Sequence, residues 1–385
     1  MILAYFPQFQ MNTILFILLP LLLSVILSAL IIPRILVVTY RKKLFDYPDA
    51  RKVHKTAIPR LGGFSFLPGI LFSIFFSIGI RYLVGVKIPV QALDFIVPEF
   101  YFFFCGLILL YLAGLKDDLI GLRYRSKFAI QVIAVSMLPL SGLWINNLYG
   151  LFGIHELTPY IGIPFTLLVM VFIINSINLI DGLDGLASGL SGISLIILGT
   201  LFYSGNLWVY AMLAFATLGT LIPFFLYNVF GKAEHCKKIF MGDTGSLTLG
   251  YLLAFLVIRY SACHPELIPC SGKAFIIAFS TLLVPIFDVF RVMGVRTRQH
   301  KPLFIADRNH IHHKLLESGL TPLRAMLTIL MMGAFFCLMN IFLSSYVGIN
   351  LILFINILIY ISANICIDRI IKKKQSLASA YNLER

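Results

Sequence analysis

The chain has 385 residues, of which 59% are hydrophobic and only 12% charged, and its mean hydropathy is +0.93. Soluble domains carry about 25% charged residues, so the composition excludes a water-soluble globular protein and points to an all-α polytopic membrane protein. The net charge of +14 does not indicate a nucleic-acid partner, because the basic residues sit in alternate connections between apolar runs.

The first apolar run, Ile14 to Pro33, is uncharged over 20 residues, enough to cross a hydrocarbon core at about 1.5 Å per residue. It lacks the basic start and small-residue cleavage site of a removed signal peptide. Further spans are predicted at Gly63 to Ile80, Phe100 to Leu115, Phe128 to Leu148, Pro164 to Ile180 and Leu186 to Phe202. Others follow at Leu207 to Phe230, Thr244 to Ile258, Ala274 to Phe290, Ala325 to Val347 and Asn350 to Ile367, making about eleven. With no linker, low-complexity tract or internal repeat, residues 1–385 read as one domain.

An odd number of spans places the termini on opposite sides. Of the 31 Lys and Arg residues, 27 fall in one set of loops, and only Arg81, Lys87, Arg259 and Lys273 in the other. The positive-inside rule then predicts an external N-terminus and a cytoplasmic C-terminus. Every polar motif lies in the basic, inner set.

The first inner loop, Leu44 to Gly63, holds Asp46, Asp49, Arg51, Lys52, His54 and Arg60. It suits an anionic ligand, but a basic loop that merely obeys the orientation rule looks the same. The second opens Lys116-Asp117-Asp118 and continues to Arg123, Arg125 and Lys127. Adjacent carboxylates at a helix end repel unless a cation is near; that cation is either a bound metal or the neighbouring Lys116 and Arg123.

Asn175 to Ser191, N-S-I-N-L-I-D-G-L-D-G-L-A-S-G-L-S, closes an apolar run with Asn178, Asp181 and Asp184. Ionisable groups delivered by a spanning helix mark a functional site by default, although a polar loop between spans has the same outline. Phe240-Met241-Gly242-Asp243-Thr244-Gly245-Ser246 opens another apolar run. Asp243 reads there as a helix cap or, beside free N–H groups ready for phosphate, as part of a metal site. The last inner loop begins Pro285-Ile286-Phe287-Asp288, passes Arg291, and ends Asp307-Arg308-Asn309-His310-Ile311-His312-His313. Its histidines lack zinc-site spacing and, beside Arg308, read as donors to phosphate or sugar.

In this order on alternate inner loops, K-D-D, N-x-x-N-x-x-D-G-x-D-G-L-A, F-M-G-D-T-G-S and D-R-N-H-I-H-H resemble the polyprenyl-phosphate N-acetylhexosamine-1-phosphate transferases, over Asp46 to His313. These enzymes move a sugar 1-phosphate from a UDP-sugar to a polyprenyl phosphate, release UMP and start a cell-surface glycan. The H-I-H-H-K-L pattern is similar to the branch that uses UDP-GlcNAc and initiates O-antigen, common-antigen or teichoic-acid linkage units, and differs from the MurNAc-pentapeptide branch of peptidoglycan synthesis. The resemblance implies Mg²⁺, with Mn²⁺ as a substitute, held by Asp118 and Asp243. It implies catalytic parts for Asp117, Asp118, Asp181 and His310, and uracil stacking by Phe240. Substrate contacts are implied for Lys127, Asn178, Leu179, Asp184, Arg308, His312 and His313.

A lipid phosphate is largely a dianion at neutral pH, its second pKa being about 6, so Asp117 is expected to orient it rather than deprotonate it. An active site facing the cytoplasm at a bacterial inner membrane follows, and a homodimer is left open because lipid-facing and subunit-facing helices look alike. Cys263 and Cys270 share one predicted outer loop, where a disulfide can form. A transporter or flippase is the rival class; it calls for midplane charges and an inverted repeat, which this sequence lacks.

Overall fold

A computed structural model describes residues 13–46, 57–85, 90–264, 270–302 and 309–383. Among them the chain is almost wholly helical, as expected. The order is α1 (Thr13–Lys42), α2 (Phe66–Leu83), α3 (Val90–Ile120), α4 (Tyr124–Leu140), α5 (Pro159–Ile180), α6 (Leu186–Ser204) and α7 (Trp208–Val229). There follow α8 (Gly242–Ser261), α9 (Gly272–Ser280), α10 (Leu283–Arg298), α11 (Ile311–Glu317), α12 (Pro322–Leu343) and α13 (Ile349–Leu383). Two small hairpins, β1 (Phe45–Asp46) with β2 (Ile58–Pro59) and β3 (Asn147–Leu151) with β4 (Ile154–Glu156), complete it.

Most predicted apolar runs fall on a helix or, for Ala274 to Phe290, on the α9–α10 pair, which bends by 73°; the run Phe128 to Leu148 is helical only to Leu140, where α4 ends, and its last residues enter β3. Among the described residues, eight helices are long and apolar enough to cross a bilayer, and the bent pair makes nine. The expected eleven is therefore not reached on that basis. At 17 residues α4 is short, and α8 spends its first turn on Asp243, Thr244 and Ser246.

Helix α8 is the axis of the bundle. It packs against α3, α5 and α6, and its whole stretch from Leu247 to Ile258 is buried. A helix apolar all round belongs in the protein interior rather than facing lipid, and α8 is flanked by neighbours that leave their own outer faces exposed, such as Tyr101 of α3, Leu168 of α5 and Ile196 of α6. Small residues let the backbones close up, as expected where no hydrophobic effect drives helices together. A Cβ on Gly114 of α3 would lie 2.5 Å from the Thr244 Cα, and one on Gly63 would lie 2.1 Å from the Gly245 N.

The two ends of α8 differ chemically, and they are separated by a 20-residue helix, about 30 Å. One end carries the motif residues. Beyond the other, Cys263 and Cys270 form a disulfide with Cα atoms 4.6 Å apart. The Asn146 side chain brackets that segment, donating to the Cys263 carbonyl at 2.7 Å and accepting from its N–H at 2.8 Å.

Candidate active site

The site is assembled on the first turn of α8. Residues Phe240 and Met241 run into it as an added strand-like segment. The Phe240 N–H donates to the Pro59 carbonyl at 2.7 Å, and the Gly62 and Gly63 N–H groups donate to the Phe240 and Met241 carbonyls at 2.9 Å each. Gly242 then adopts φ +71°, the left-handed region that glycine enters without strain. A Cβ there would stand 2.5 Å from an Asp118 oxygen and 2.2 Å from the Arg60 carbonyl.

Asp118, from α3, caps α8. Its Oδ1 accepts from the Asp243 N–H at 2.8 Å, and its Oδ2 accepts from the Thr244 N–H at 2.9 Å and the Thr244 hydroxyl at 2.6 Å. A carboxylate at a helix N-terminus satisfies orphan donors and meets the positive end of the macrodipole. Two expectations change in consequence. The capping part considered for Asp243 belongs to Asp118, and those N–H groups are not free for phosphate. Three of about four acceptor positions on the Asp118 carboxylate are already used, which leaves it little capacity as a metal ligand.

Asp117 and Asp243 meet across one ammonium. Lys127 Nζ, from α4, contacts Asp117 Oδ2 at 2.9 Å and also pairs with Asp243 Oδ1. The cation beside the Asp117-Asp118 pair is thus Lys127, not Lys116 or Arg123. Asp117 Oδ1 accepts from the Leu122 N–H at 2.6 Å. Asn178 Nδ2, at the end of α5, donates to Asp243 Oδ1 and to Ser246 Oγ at 2.7 Å each. Residues 117, 127, 178 and 243, far apart in sequence, are thereby tied into one polar group.

The D-G-L-D-G turn between α5 and α6 forms the next wall. Asp181 lies where charges on Asp184, Asp243 and Asp118 all reach it, and burial first, then those neighbours, holds its carboxyl well above the usual range. Asp184 pairs with Lys238 at 2.6 Å, a partner the sequence motifs did not flag. Gly185 takes φ +74°, and its N–H donates to Asn228 Oδ1 at 2.6 Å.

The histidine segment closes on this turn. His312 is 1% exposed, and neither ring nitrogen has a hydrogen-bond partner. Burial first, and the nearby His313 next, push its pKa down to about 3. The ring lies on Gly182, so that a Cβ there would be 2.4 Å from His312 Nε2. The His312 and His313 rings are 4.2 Å apart, and the His310 and His312 rings stack at 5.8 Å. His310 is held through Nδ1 by Asp288 at 2.7 Å. Asp288 is the lone carboxylate inside the apolar run Ala274 to Phe290, and that is the signal that marks it.

Of the expected residues, Asp117, Asp118, Lys127, Asn178, Asp181, Asp184 and Asp243 gather at one end of the bundle, with His310, His312 and His313 alongside. Leu179 is exposed at 38% and joins none of these polar contacts. Phe240 is half-buried with its backbone fixed as above. Arg308, Asp307, Asp49, Arg51, Lys52 and His54 lie outside the described residues.

No group of three or more His, Cys, Asp or Glu among the described residues is arranged to hold a metal ion. Mg²⁺ is usually bound through one or two carboxylates, the rest of its shell being water and substrate phosphate. Asp181 and Asp243, close enough for the charge of the second to reach the first, are two carboxylates that suit that kind of ion in charge and ligand type.

Fold and site together define a multi-pass membrane protein with an acidic, histidine-flanked centre at one end of its bundle. Residues 100–261 match the family described as glycosyl transferase family 4. The chain is 28% identical over 301 residues to the undecaprenyl-phosphate alpha-N-acetylglucosaminyl 1-phosphate transferase of Yersinia pestis, covering 77% of this chain and 76% of that protein. A probable undecaprenyl-phosphate N-acetylglucosaminyl 1-phosphate transferase of Bacillus subtilis is 29% identical over 305 residues, covering 78% and 77%. The Escherichia coli K12 relative of the first name is 26% identical over 294 residues, covering 76% and 74%.

Proposed function

We propose that this protein transfers GlcNAc-1-phosphate from UDP-GlcNAc to undecaprenyl phosphate, releasing UMP and starting a bacterial cell-surface glycan. The observation that carries the reading is the Lys127 ammonium held between Asp117 and Asp243, which ties K-D-D to F-M-G-D beside the Asp181–Asp184 turn. The relatives' names supply the substrate pair. An active site on the cytoplasmic side of the inner membrane is supported by the 27 basic residues of the loops at that end and by the disulfide beyond the opposite end of α8.

The reaction brings a dianionic lipid phosphate to the β-phosphorus of a diphosphate. A new P–O bond forms there, the bridge to the α-phosphorus breaks, and UMP leaves with the bonding pair. With two anions converging, positioning and charge neutralisation supply most of the catalysis. Lys127 contributes positive charge at the junction of Asp117 and Asp243. Asp117 already accepts from Lys127 and the Leu122 N–H, so its lone pairs are poorly placed for covalent attack, and it orients the acceptor. His312, neutral at physiological pH, offers an uncharged donor or acceptor beside Gly182. Mg²⁺, with Mn²⁺ as substitute, would be held by Asp243 and Asp181 and would supply Lewis-acid neutralisation of the diphosphate.

The test is UMP release from UDP-GlcNAc and undecaprenyl phosphate by the purified protein, with Mg²⁺ and with chelator, and by Asp243→Ala. Lipid-linked GlcNAc forming only with the divalent ion and native Asp243 supports the reading. No UMP from any member of a UDP-N-acetylhexosamine panel refutes it.

A further inference from the structure

Asp288 lies in α10, beyond the family-matched residues 100–261, and is 0% exposed. Its Oδ2 bonds His310 Nδ1 at 2.7 Å. Its Oδ1 accepts from the Ile311 N–H at 2.9 Å, from Arg291 Nη2 at 2.9 Å and from the Tyr360 hydroxyl of α13 at 3.4 Å. Four donors of the protein surround this fully buried carboxylate, so Asp288 is not open to a substrate. Leaving a buried carboxylate unpaired is costly; this one is kept ionised by Arg291 and directed at a single imidazole.

The same Arg291 also donates to the Asn309 carbonyl, so the backbone before His310 and the first N–H of α11 are both fixed by the Asp288–Arg291 pair. From behind, α13 grips α11. Lys314 contacts Asp368 at 2.7 Å and Asn364 Oδ1 at 3.2 Å, and Gln375 Nε2 donates to Glu317 at 3.0 Å.

We infer that Asp288 is a positioning residue for the transfer reaction: it fixes His310 with the proton on Nδ1, which leaves Nε2 as the nitrogen available to the substrate. The inference rests on the proposed function for the reaction and on geometry alone for the ring. A carboxylate acceptor at Nδ1 defines the tautomer and turns the unprotonated Nε2 toward the substrate as an acceptor. In Asp288→Asn the Ile311 cap is retained through Oδ1, but the carboxamide NH₂ faces Nδ1. The ring must then accept there and carry its proton on Nε2.

Two measurements on the full chain in nanodiscs test this. In ¹⁵N-histidine spectra, with the His310 signal assigned by its loss in His310→Ala, the neutral ring should carry its proton on Nδ1, and Asp288→Asn should move it to Nε2. A wild-type ring already protonated on Nε2, or one unmoved by the substitution, overturns the assignment, and this arm needs no turnover. In the UMP-release assay, Asp288→Asn should lower kcat by about 10²-fold, with little change in KM. Placed on His310→Ala, the same substitution should cost no more than about twofold. A repeated full loss in that background shows that Asp288 does not act through His310. A wild type that releases no UMP while the spectra behave as stated counts against the function and not against the Asp288–His310 assignment.

Discussion

Gly182→Ala gives the most direct test of how the D-G-L-D-G turn and the histidine segment meet. The added Cβ would stand 2.4 Å from His312 Nε2 and 2.8 Å from Cε1, about 1 Å inside ordinary contact. His312 is 1% exposed and is crowded by the His313 ring at 4.2 Å, so it has no solvent-filled space to swing into. Forcing a methyl into a packed site costs about 1–3 kcal/mol. If that strain is relieved by displacing the imidazole from the substrate, kcat/KM falls by about 10- to 100-fold. Gly79→Ala serves as control, since nothing lies within 4 Å of a Cβ there; it should leave turnover unchanged. UMP release and thermal inactivation should be followed for both, and for Gly182→Ala with His312→Ala, which should regain the stability but not the rate. Full activity in Gly182→Ala would show that the histidine segment does not rest on this turn during catalysis.

Three further outcomes are expected. Lys127→Gln leaves Asp117 and Asp243 without their shared ammonium. Breaking a buried pair costs about 3–5 kcal/mol, reduced here because the three side chains are 19%, 13% and 27% exposed, and Asp243→Asn added to it should recover part of the lost thermal stability. His312 has a folded pKa of about 3 against an ordinary 6.5. Its contribution is thus constant above pH 6.5, and below that the unfolded chain takes up a proton the folded one refuses. Stability should fall by about 2 kcal/mol between pH 7 and 5, and His312→Asn should flatten that part of the profile in melting experiments. Reducing the Cys263–Cys270 bridge, which closes a loop with a sequence separation of 7, should cost at most about 2–3 kcal/mol on the chain-entropy model. After reduction, an impermeant thiol reagent should label intact spheroplasts at these positions; labelling only in inverted vesicles would reverse the orientation.

The sequence by itself determined the class of this protein and singled out most of the residues that gather at its candidate site. Composition and apolar runs settle membrane helices because lipid satisfies no backbone hydrogen bonds, and the runs recur as helices except for the end of Phe128 to Leu148, which lies beyond α4. The motif residues Asp117, Asn178, Asp181 and Asp243 were legible because charged and carboxamide groups at the ends of apolar segments have no other cheap explanation. What each residue does within the site was decided only in three dimensions. Asp118 and Asp243 look interchangeable as acids along the chain, yet one caps the helix that carries the other. Lys127 is one basic residue among 31 until α3, α4 and α8 bring it between two carboxylates. Asp288 stands out as the lone carboxylate of its apolar run but does not announce its histidine, and Lys238 and the Gly182–His312 contact carry no local pattern. Their partners lie 22, 54 and 130 residues away, and hydrogen bonds, ion pairs and packing depend on separation in space, which the order of residues does not encode.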